Sequence, residues 1–361
     1  MSPKPKETIL NITPYKAGLS KSASDKRNIK LSSNETPLGA SPKAIAAYEA
    51  ISGQLHKYPD GSASKLRAAI GKIYNLNPEQ IVCGAGSDEI ISFICHSYAK
   101  DGDEILYSRH GFLMYEIYAH GAGATPVSAP ETNLRTDIDN ILAAVTPKTK
   151  IVFIANPNNP TGSYSTRDEL IKLREQLADD ILLVIDGAYA EYVSEDDYTS
   201  GADIVDMGNN TIMTRTFSKI YGLASLRIGW GYCPPEVADI LNRVRGPFNV
   251  SSAAIEAATE AVLDVEFTKK AKEHNDIWLK WTENELSKLG LKVYPTVGNF
   301  ILVEFTNPDK NADKANEFLM QEGIIVRAVT NYGLPDCLRI TIGLEEENKA
   351  VVDALKEFLE K

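Results

Sequence analysis

The stretch Thr214-Arg215-Thr216-Phe217-Ser218-Lys219-Ile220-Tyr221-Gly222-Leu223-Ala224-Ser225-Leu226-Arg227 sets two hydroxyls, a lysine and an arginine at fixed offsets. Ile212-Met213-Thr214 is apolar and β-branched, the composition of a strand, so the group falls at a strand end. A lysine on a short turn beside Thr216 and Ser218 suits Schiff-base capture of an aldehyde cofactor. Arg227, eight residues past Lys219, offers a planar fork of donors for that cofactor's phosphate, with the two hydroxyls beside it. Read one at a time, Lys219 is an ordinary surface lysine and Arg227 a salt-bridge partner. The stretch gains its meaning from motifs elsewhere in the chain.

In Ile81-Val82-Cys83-Gly84-Ala85-Gly86-Ser87-Asp88-Glu89 a short strand passes through glycines into a helix. Glycine lets the backbone approach a ligand, and free N–H groups at a helix start bind anions. The same residues also read as a plain helix start, with Ser87 at the N-cap and acids in the first turn. Ala155-Asn156-Pro157-Asn158-Asn159-Pro160-Thr161-Gly162 is a strand-end turn in which Asn159, before a proline, has a restricted backbone. Asp186-Gly187-Ala188-Tyr189 closes another apolar strand. A carboxylate there is costly unless paired, and either a protonated pyridine nitrogen or a buried arginine serves.

The elements that must position these residues alternate. Strands are expected at 81–83, 104–107, 125–128, 150–155, 181–185, 211–216 and 227–233, with helices at 63–74, 90–99, 110–120, 137–144 and 166–177. Strands apolar throughout, separated by helices, indicate an α/β fold with a mostly parallel seven-stranded sheet covered on both faces. Ligands of such sheets bind at the carboxyl ends of the strands, where the motifs fall. From about 251 the pattern changes to a long helical region, 252–289, and then a smaller α+β unit. The division expected is an N-terminal arm over 1–40, a large domain over 41–255 and a small C-terminal domain over 256–361, with the site in the cleft between the two lobes.

Composition narrows the partners. The 361 residues carry a net charge of −11, which argues against nucleic acid or an anionic membrane surface. The four cysteines form no CxxC pair, so no metal site is expected and buried thiols in a reducing cytoplasm are. No apolar run reaches the length of a membrane span.

In chain order the motifs are a glycine-rich loop, Asn-Pro-Thr-Gly, Asp-x-x-Tyr, Ser-Lys and Arg. Together with Leu31 to Glu35, Tyr58-Pro59-Asp60, Asn299-Phe300 and Leu338 to Gly343, they resemble the pyridoxal-phosphate-dependent aminotransferases of the aspartate aminotransferase fold, fold type I. Within that family the chain looks most like the histidinol-phosphate branch. The resemblance implies pyridoxal 5'-phosphate as cofactor, Lys219 as Schiff-base lysine and proton shuttle, and Asp186 opposite the pyridine nitrogen. It also implies Tyr189 and Asn159 on the phenolic oxygen and Phe112 on the ring face. Gly86, Ser87, Asp88, Thr216, Ser218 and Arg227 would hold the phosphate. Arg339 would take the substrate's anionic group, with Tyr15, Asn34, Asn159 and Arg327 around the substrate, which is histidinol phosphate in one half-reaction and glutamate or 2-oxoglutarate in the other. Tyr58 would serve the cofactor phosphate of the neighbouring subunit in a homodimer. Gly187, Thr36 and Phe112 depart from the family's usual Glu, Asn and Tyr, and the first two are expected near the cleft. Aromatic amino acids as substrates, or decarboxylation of threonine phosphate, are the competing readings.

Overall fold

The computed structural model describes residues 3–15, 19–21 and 28–361; within the expected arm, 1–2, 16–18 and 22–27 lie outside the described residues. The elements are β1 (Ile29–Lys30), α1 (Pro42–Ala50), α2 (Ser64–Tyr74), β2 (Ile81–Gly84), α3 (Ser87–Tyr98), β3 (Glu104–Ser108), α4 (Met114–Ala122) and β4 (Thr125–Ala129). They continue with α5 (Ile138–Ala143), β5 (Thr149–Ala155), α6 (Arg167–Gln176), β6 (Leu182–Asp186), α7 (Ala202–Val205), β7 (Thr211–Thr216), β8 (Gly229–Tyr232) and α8 (Pro235–Val244). The C-terminal part holds α9 (Ser252–Leu263), α10 (Val265–Lys288), β9 (Lys292–Tyr294), β10 (Phe300–Glu304), α11 (Ala312–Gln321), β11 (Ile324–Ile325), β12 (Arg327–Ala328), β13 (Cys337–Thr341) and α12 (Glu345–Glu360).

The large sheet has seven strands in the order β2-β8-β7-β6-β5-β3-β4. Pairing is parallel from β7 to β4, and β8 runs antiparallel to both β7 and β2. Period-two alternation buries both faces: on β5, Ile151 and Phe153 join one core while Val152 and Ile154 join another. Gly229 shows how tightly β8 passes under the start of α3. A Cβ there would stand 2.4 Å from the Ser87 nitrogen, so no side chain fits.

The second sheet, β12-β13-β10-β9, is antiparallel, and its core includes Leu286, Leu319, Val351 and Leu355 from α10, α11 and α12. One expectation fails here. The helical run 252–289 breaks at Asp264, whose φ of −84° and ψ of 65° are not helical. Before the break, α9 lies in the core shared with α2 and the large sheet. The mostly apolar run 324–328 makes two strands: Ile324–Ile325 pairs in parallel with β1, while Arg327–Ala328 pairs with β13. An apolar run carries no mark of such a change of partner. Pairing of β1 ends at Lys30, and Asn34 takes a φ of 56°.

All four cysteines are buried and free. Among the described residues, no helix is long and apolar enough to cross a membrane, and no cluster of ligating side chains could hold a metal.

Candidate active site

A cavity of about 210 Å³ opens at the carboxyl ends of β5, β6 and β7, with Lys219 in its wall. Its phosphate end is built from Ser87, Asp88, Thr216, Ser218 and Arg227. Gly86 is the N-cap of α3, with a φ of 84°, and Ser87 is the first helical residue, so the expected serine cap is absent. The Gly86 N–H donates to Gly84 O at 2.8 Å. Gly86 therefore offers no donor to a ligand, contrary to expectation. Its role is space, since a Cβ would stand 2.5 Å from Arg227 Nη2. The donors of the helix start belong to Ser87 and Asp88, whose N–H groups, as in any first turn, have no acceptor within the helix. Arg227 Nη1 donates to Ser218 Oγ at 3.2 Å, and Nη2 to Asp88 Oδ2 at 3.2 Å. Asp88 Oδ1 is buried without a partner. Burial pushes the Asp88 carboxyl up, against Arg227 and Lys219.

At the other end Asp186 closes β6, 5% exposed. Tyr115 Oη donates to its Oδ2 at 2.8 Å and Thr214 Oγ1 to its Oδ1 at 3.0 Å. Burial raises its pKa to about 6, with both donors opposing. A cationic N–H facing it would find a carboxylate already oriented and lacking a counter-charge.

Lys219 Nζ donates to Ser33 O at 3.1 Å and lies 5.6 Å from the Tyr189 ring centroid. Burial, then the charge of Arg339, lower the amine's pKa to about 8, while Glu35 and Asp88 act the other way. A lysine so placed is neutral in a useful fraction near physiological pH, the form that attacks a carbonyl. Tyr189 is buried and its hydroxyl accepts from Asn34 Nδ2 at 2.8 Å. Asn34 is itself fixed by Thr341, which donates to its Oδ1 at 3.1 Å, and by Asn299, which donates to its carbonyl at 3.0 Å. Asn34 thus acts on Tyr189 and does not line the cavity, unlike its expected place at the substrate.

Arg339 on β13 is 5% exposed. Its Nη2 donates to Ser32 O at 2.8 Å, its Nη1 to Asn159 Oδ1, and its guanidinium lies 5.4 Å from the Phe300 ring centroid. Asn159 lines the cavity with its oxygen engaged, so its amide hydrogens remain for a ligand oxygen. Phe112 lines the cavity too and meets Tyr115 edge-on at 5.8 Å.

Three expected site residues stand apart. Arg327 is half-buried on β12, in register with Arg339. Tyr15 is 49% exposed and lines a neighbouring hollow with Leu113 and His120. Tyr58 is 81% exposed and stacks on Phe248 at 4.5 Å. Neither unusual residue expected at the cleft lines the cavity. A Cβ on Gly187 would stand 3.1 Å from Arg215 Cδ, on the far side of β7.

The donor set fits pyridoxal phosphate: a cationic fork, hydroxyls and a helix start for a dianion, an amine for an aldehyde, and a buried carboxylate for a pyridinium. The family model for class I and II aminotransferases matches residues 26–355. The chain belongs to the class I and II aminotransferases. A histidinol-phosphate aminotransferase of Paramagnetospirillum magneticum is 54% identical over 359 residues, 99% of each chain. A histidinol-phosphate aminotransferase of Sinorhizobium meliloti, solved in complex with pyridoxal-5'-phosphate, superposes with a TM-score of 0.88 at 27% identity, covering 94% of this chain and 92% of that one. The Thermus thermophilus aspartate aminotransferase with maleate shares the fold, with a TM-score of 0.82 at 21% identity over 92% of each chain.

For this aminotransferase, sequence reasoning missed the residues that orient the others. Thr214 was within reach of inference, because period-two alternation puts it on the same face as Thr216. Tyr115 carries no local signal, and Ser33, Asn299 and Thr341 were read as parts of motifs without their orienting roles, since each acts on a residue far away in the chain.

Proposed function

We propose that the protein transaminates histidinol phosphate with 2-oxoglutarate, giving imidazole acetol phosphate and glutamate in histidine biosynthesis. The observation that carries the reaction is Lys219, a half-buried amine of lowered pKa in the wall of a cavity shared with a phosphate cup and the buried carboxylate of Asp186. The substrate assignment is supported by full-length relatives named histidinol-phosphate aminotransferases.

Arg227, Ser87, Thr216 and Ser218 would hold the cofactor phosphate, and Phe112 the ring face. Asp186 would keep the ring nitrogen protonated, its oxygens aimed by Tyr115 and Thr214. Bound there, pyridoxal phosphate supplies the electron sink that makes the substrate Cα–H acidic. Lys219 Nζ would take that proton and return it on the far side of the substrate nitrogen, a 1,3-transfer, and Tyr189 and Asn159 would orient the oxygen side. Arg339 binds the carboxylate of glutamate. With Arg327 beside it on β12, it also supplies charge for the phosphate of histidinol phosphate, Tyr15 assisting.

Arm and large domain divide near residue 40 in this reading, and large and small domain at the Asp264 break rather than at 255, because α9 packs in the large-domain core. The enzyme works in the cytoplasm, consistent with four unpaired thiols. Exposed Tyr58 serves the site of a second copy in a homodimer. Co-refolded Tyr58→Ala and Lys219→Ala chains should then regain activity, because one mixed-dimer site is intact. Mixed dimers no more active than the mutants summed would confine Tyr58 to its own chain.

The half-reaction spectrum tests the function. Histidinol phosphate alone should bleach the visible band of the bound cofactor, and 2-oxoglutarate should restore it. Faster bleaching by phenylalanine would make the enzyme an aromatic aminotransferase. Carbon dioxide from threonine phosphate with the band retained would make it a decarboxylase.

A further inference from the structure

Behind the cavity, on the opposite face of β7, lies a buried cluster that the reaction as described does not use. Strand alternation sends Thr214 and Thr216 toward the cavity and Arg215 away from it. Arg215 Nη2 meets Glu191 Oε1 at 2.8 Å, and both side chains are 5% exposed. The guanidinium lies 4.8 Å from the Tyr74 ring centroid and 5.7 Å from that of Trp230. Its Nη2 also donates to Tyr74 Oη at 3.3 Å. The Tyr74 hydroxyl is hydrogen-bonded to that of Tyr221 and stands 3.4 Å from Glu191 Oε1. Gly187 leaves the room this needs, since even a Cβ there would crowd the Arg215 side chain at 3.1 Å.

Where these four residues sit in the chain gives the cluster its meaning. Glu191 is two residues past Tyr189, and Tyr221 is two past Lys219. Arg215 lies between Thr214, which orients Asp186, and Thr216, at the phosphate end. Tyr74 ends α2. One hydrogen-bonded unit therefore grips the turn that carries the amine, the turn that carries the phenol and the strand between them. As a source of stability this is a poor design. A buried ion pair loses its hydration, and apolar residues of similar volume commonly do as well or better. Its directional bonds do something apolar packing does not, which is to fix the two turns in one relative position.

We infer that Glu191, Arg215, Tyr74 and Tyr221 are positioning residues that lock the Lys219 turn against the Tyr189 turn and so fix where the amine stands in the cavity. The charged groups facing that amine are Arg339, Glu35, Asp88 and Arg227, and Tyr189 lies beside it. A shifted turn changes its distance to every one of them. The inference rests on Lys219 being the residue that carries the cofactor. Borohydride labelling of the unmodified enzyme checks that separately, so the two ideas fail in different experiments.

The test uses Tyr221→Phe and Tyr74→Phe holoenzymes. Tyr221→Phe removes one hydroxyl and keeps the ring packed on Phe217, 4.8 Å away. Each variant should lower kcat about tenfold, with KM for the amino donor changed less than about twofold, because small misplacements of reacting groups cost rate. Each should also displace, by about half a unit or more, the pH midpoint of the visible band of the lysine-bound cofactor. The double variant should match Tyr74→Phe within about twofold, since Tyr74→Phe already removes the bond that the Tyr221 hydroxyl makes. An unmoved midpoint in either folded variant, whatever its kcat or Tm, overturns the inference and leaves the cluster a part of the core. Should Tyr221→Phe fail to fold, Tyr74→Phe puts the same question.

Discussion

Two arginines serve the site and are held differently: Arg227 stands in the cavity wall, and Arg339 lies behind Asn159, which lines it. Arg227 comes from a loop, has a φ of 50° and leaves its side chain 48% exposed. Its guanidinium donates to the Ala224 carbonyl and to two side chains, Ser218 and Asp88, that a phosphate can replace or share. Arg339 comes from the middle of a sheet, is 5% exposed, and is fixed by a backbone carbonyl and by Asn159. Its Nε is buried without a partner. The loop arginine is suited to supplying charge to a cofactor that stays bound. The strand arginine is suited to reading the geometry of substrates that come and go.

Lys219→Ala should have the largest effect. Turnover should vanish, while cofactor still binds through its phosphate contacts. Equilibrium dialysis and borohydride mapping check this, and label on a lysine other than Lys219 in the unmodified enzyme would sink the assignment.

Arg339→Lys keeps the charge and removes only the fork. A hydrogen bond to a charged group contributes roughly 1.5–3 kcal/mol, so kcat/KM for both amino donor and 2-oxoglutarate should fall about 10- to 100-fold. Cofactor affinity should not change. Arg227→Lys should show the reverse pattern: cofactor affinity weaker by about tenfold and kcat at saturating cofactor nearly unchanged. Equal losses in both measurements for both variants would erase the distinction between the two arginines.

The smallest effect concerns pH. The folded-state pKa of Lys219 is about 8, below the ordinary 10.5. Between those values the unfolded chain binds the proton and the folded chain does not, so this group makes cofactor-free stability rise with pH across that window. Denaturant titrations at two pH values within it should show the rise, and Lys219→Met should remove it. Capture of cofactor by the same protein should rise with pH to a half-maximum near 8. A half-maximum above pH 10 would mean that the amine is solvated like any surface lysine.

Much of the site was legible because its residues sit at strand ends, where local composition marks the turn. Lys219, Asp186, Asn159 and Arg227 were read that way, and all four meet at one cavity. What was not legible acts over distance. Nothing near Tyr115 says that its hydroxyl will orient Asp186, 71 residues away. Asn34 was noticed and given the wrong neighbours, because its left-handed backbone turns the amide onto Tyr189. Element boundaries were not legible where the hydrophobic pattern stays constant while the partner changes, at Asp264 and at Val326.

The pairing of β1 with β11 has a consequence for how the enzyme is made. Ser33, which receives the Lys219 amine, and Asn34, which holds Tyr189, follow directly on β1. Asn34 is anchored by Thr341, 307 residues further along the chain. A ribosome has therefore synthesised every catalytic side chain long before it delivers the segment that fixes their roof. Domains fold as units with the N-terminal one first, so the large sheet can assemble on the nascent chain. The contacts of Ser33 with the amine and of Asn34 with the phenol gain their anchor only when Thr341 on the last strand has emerged.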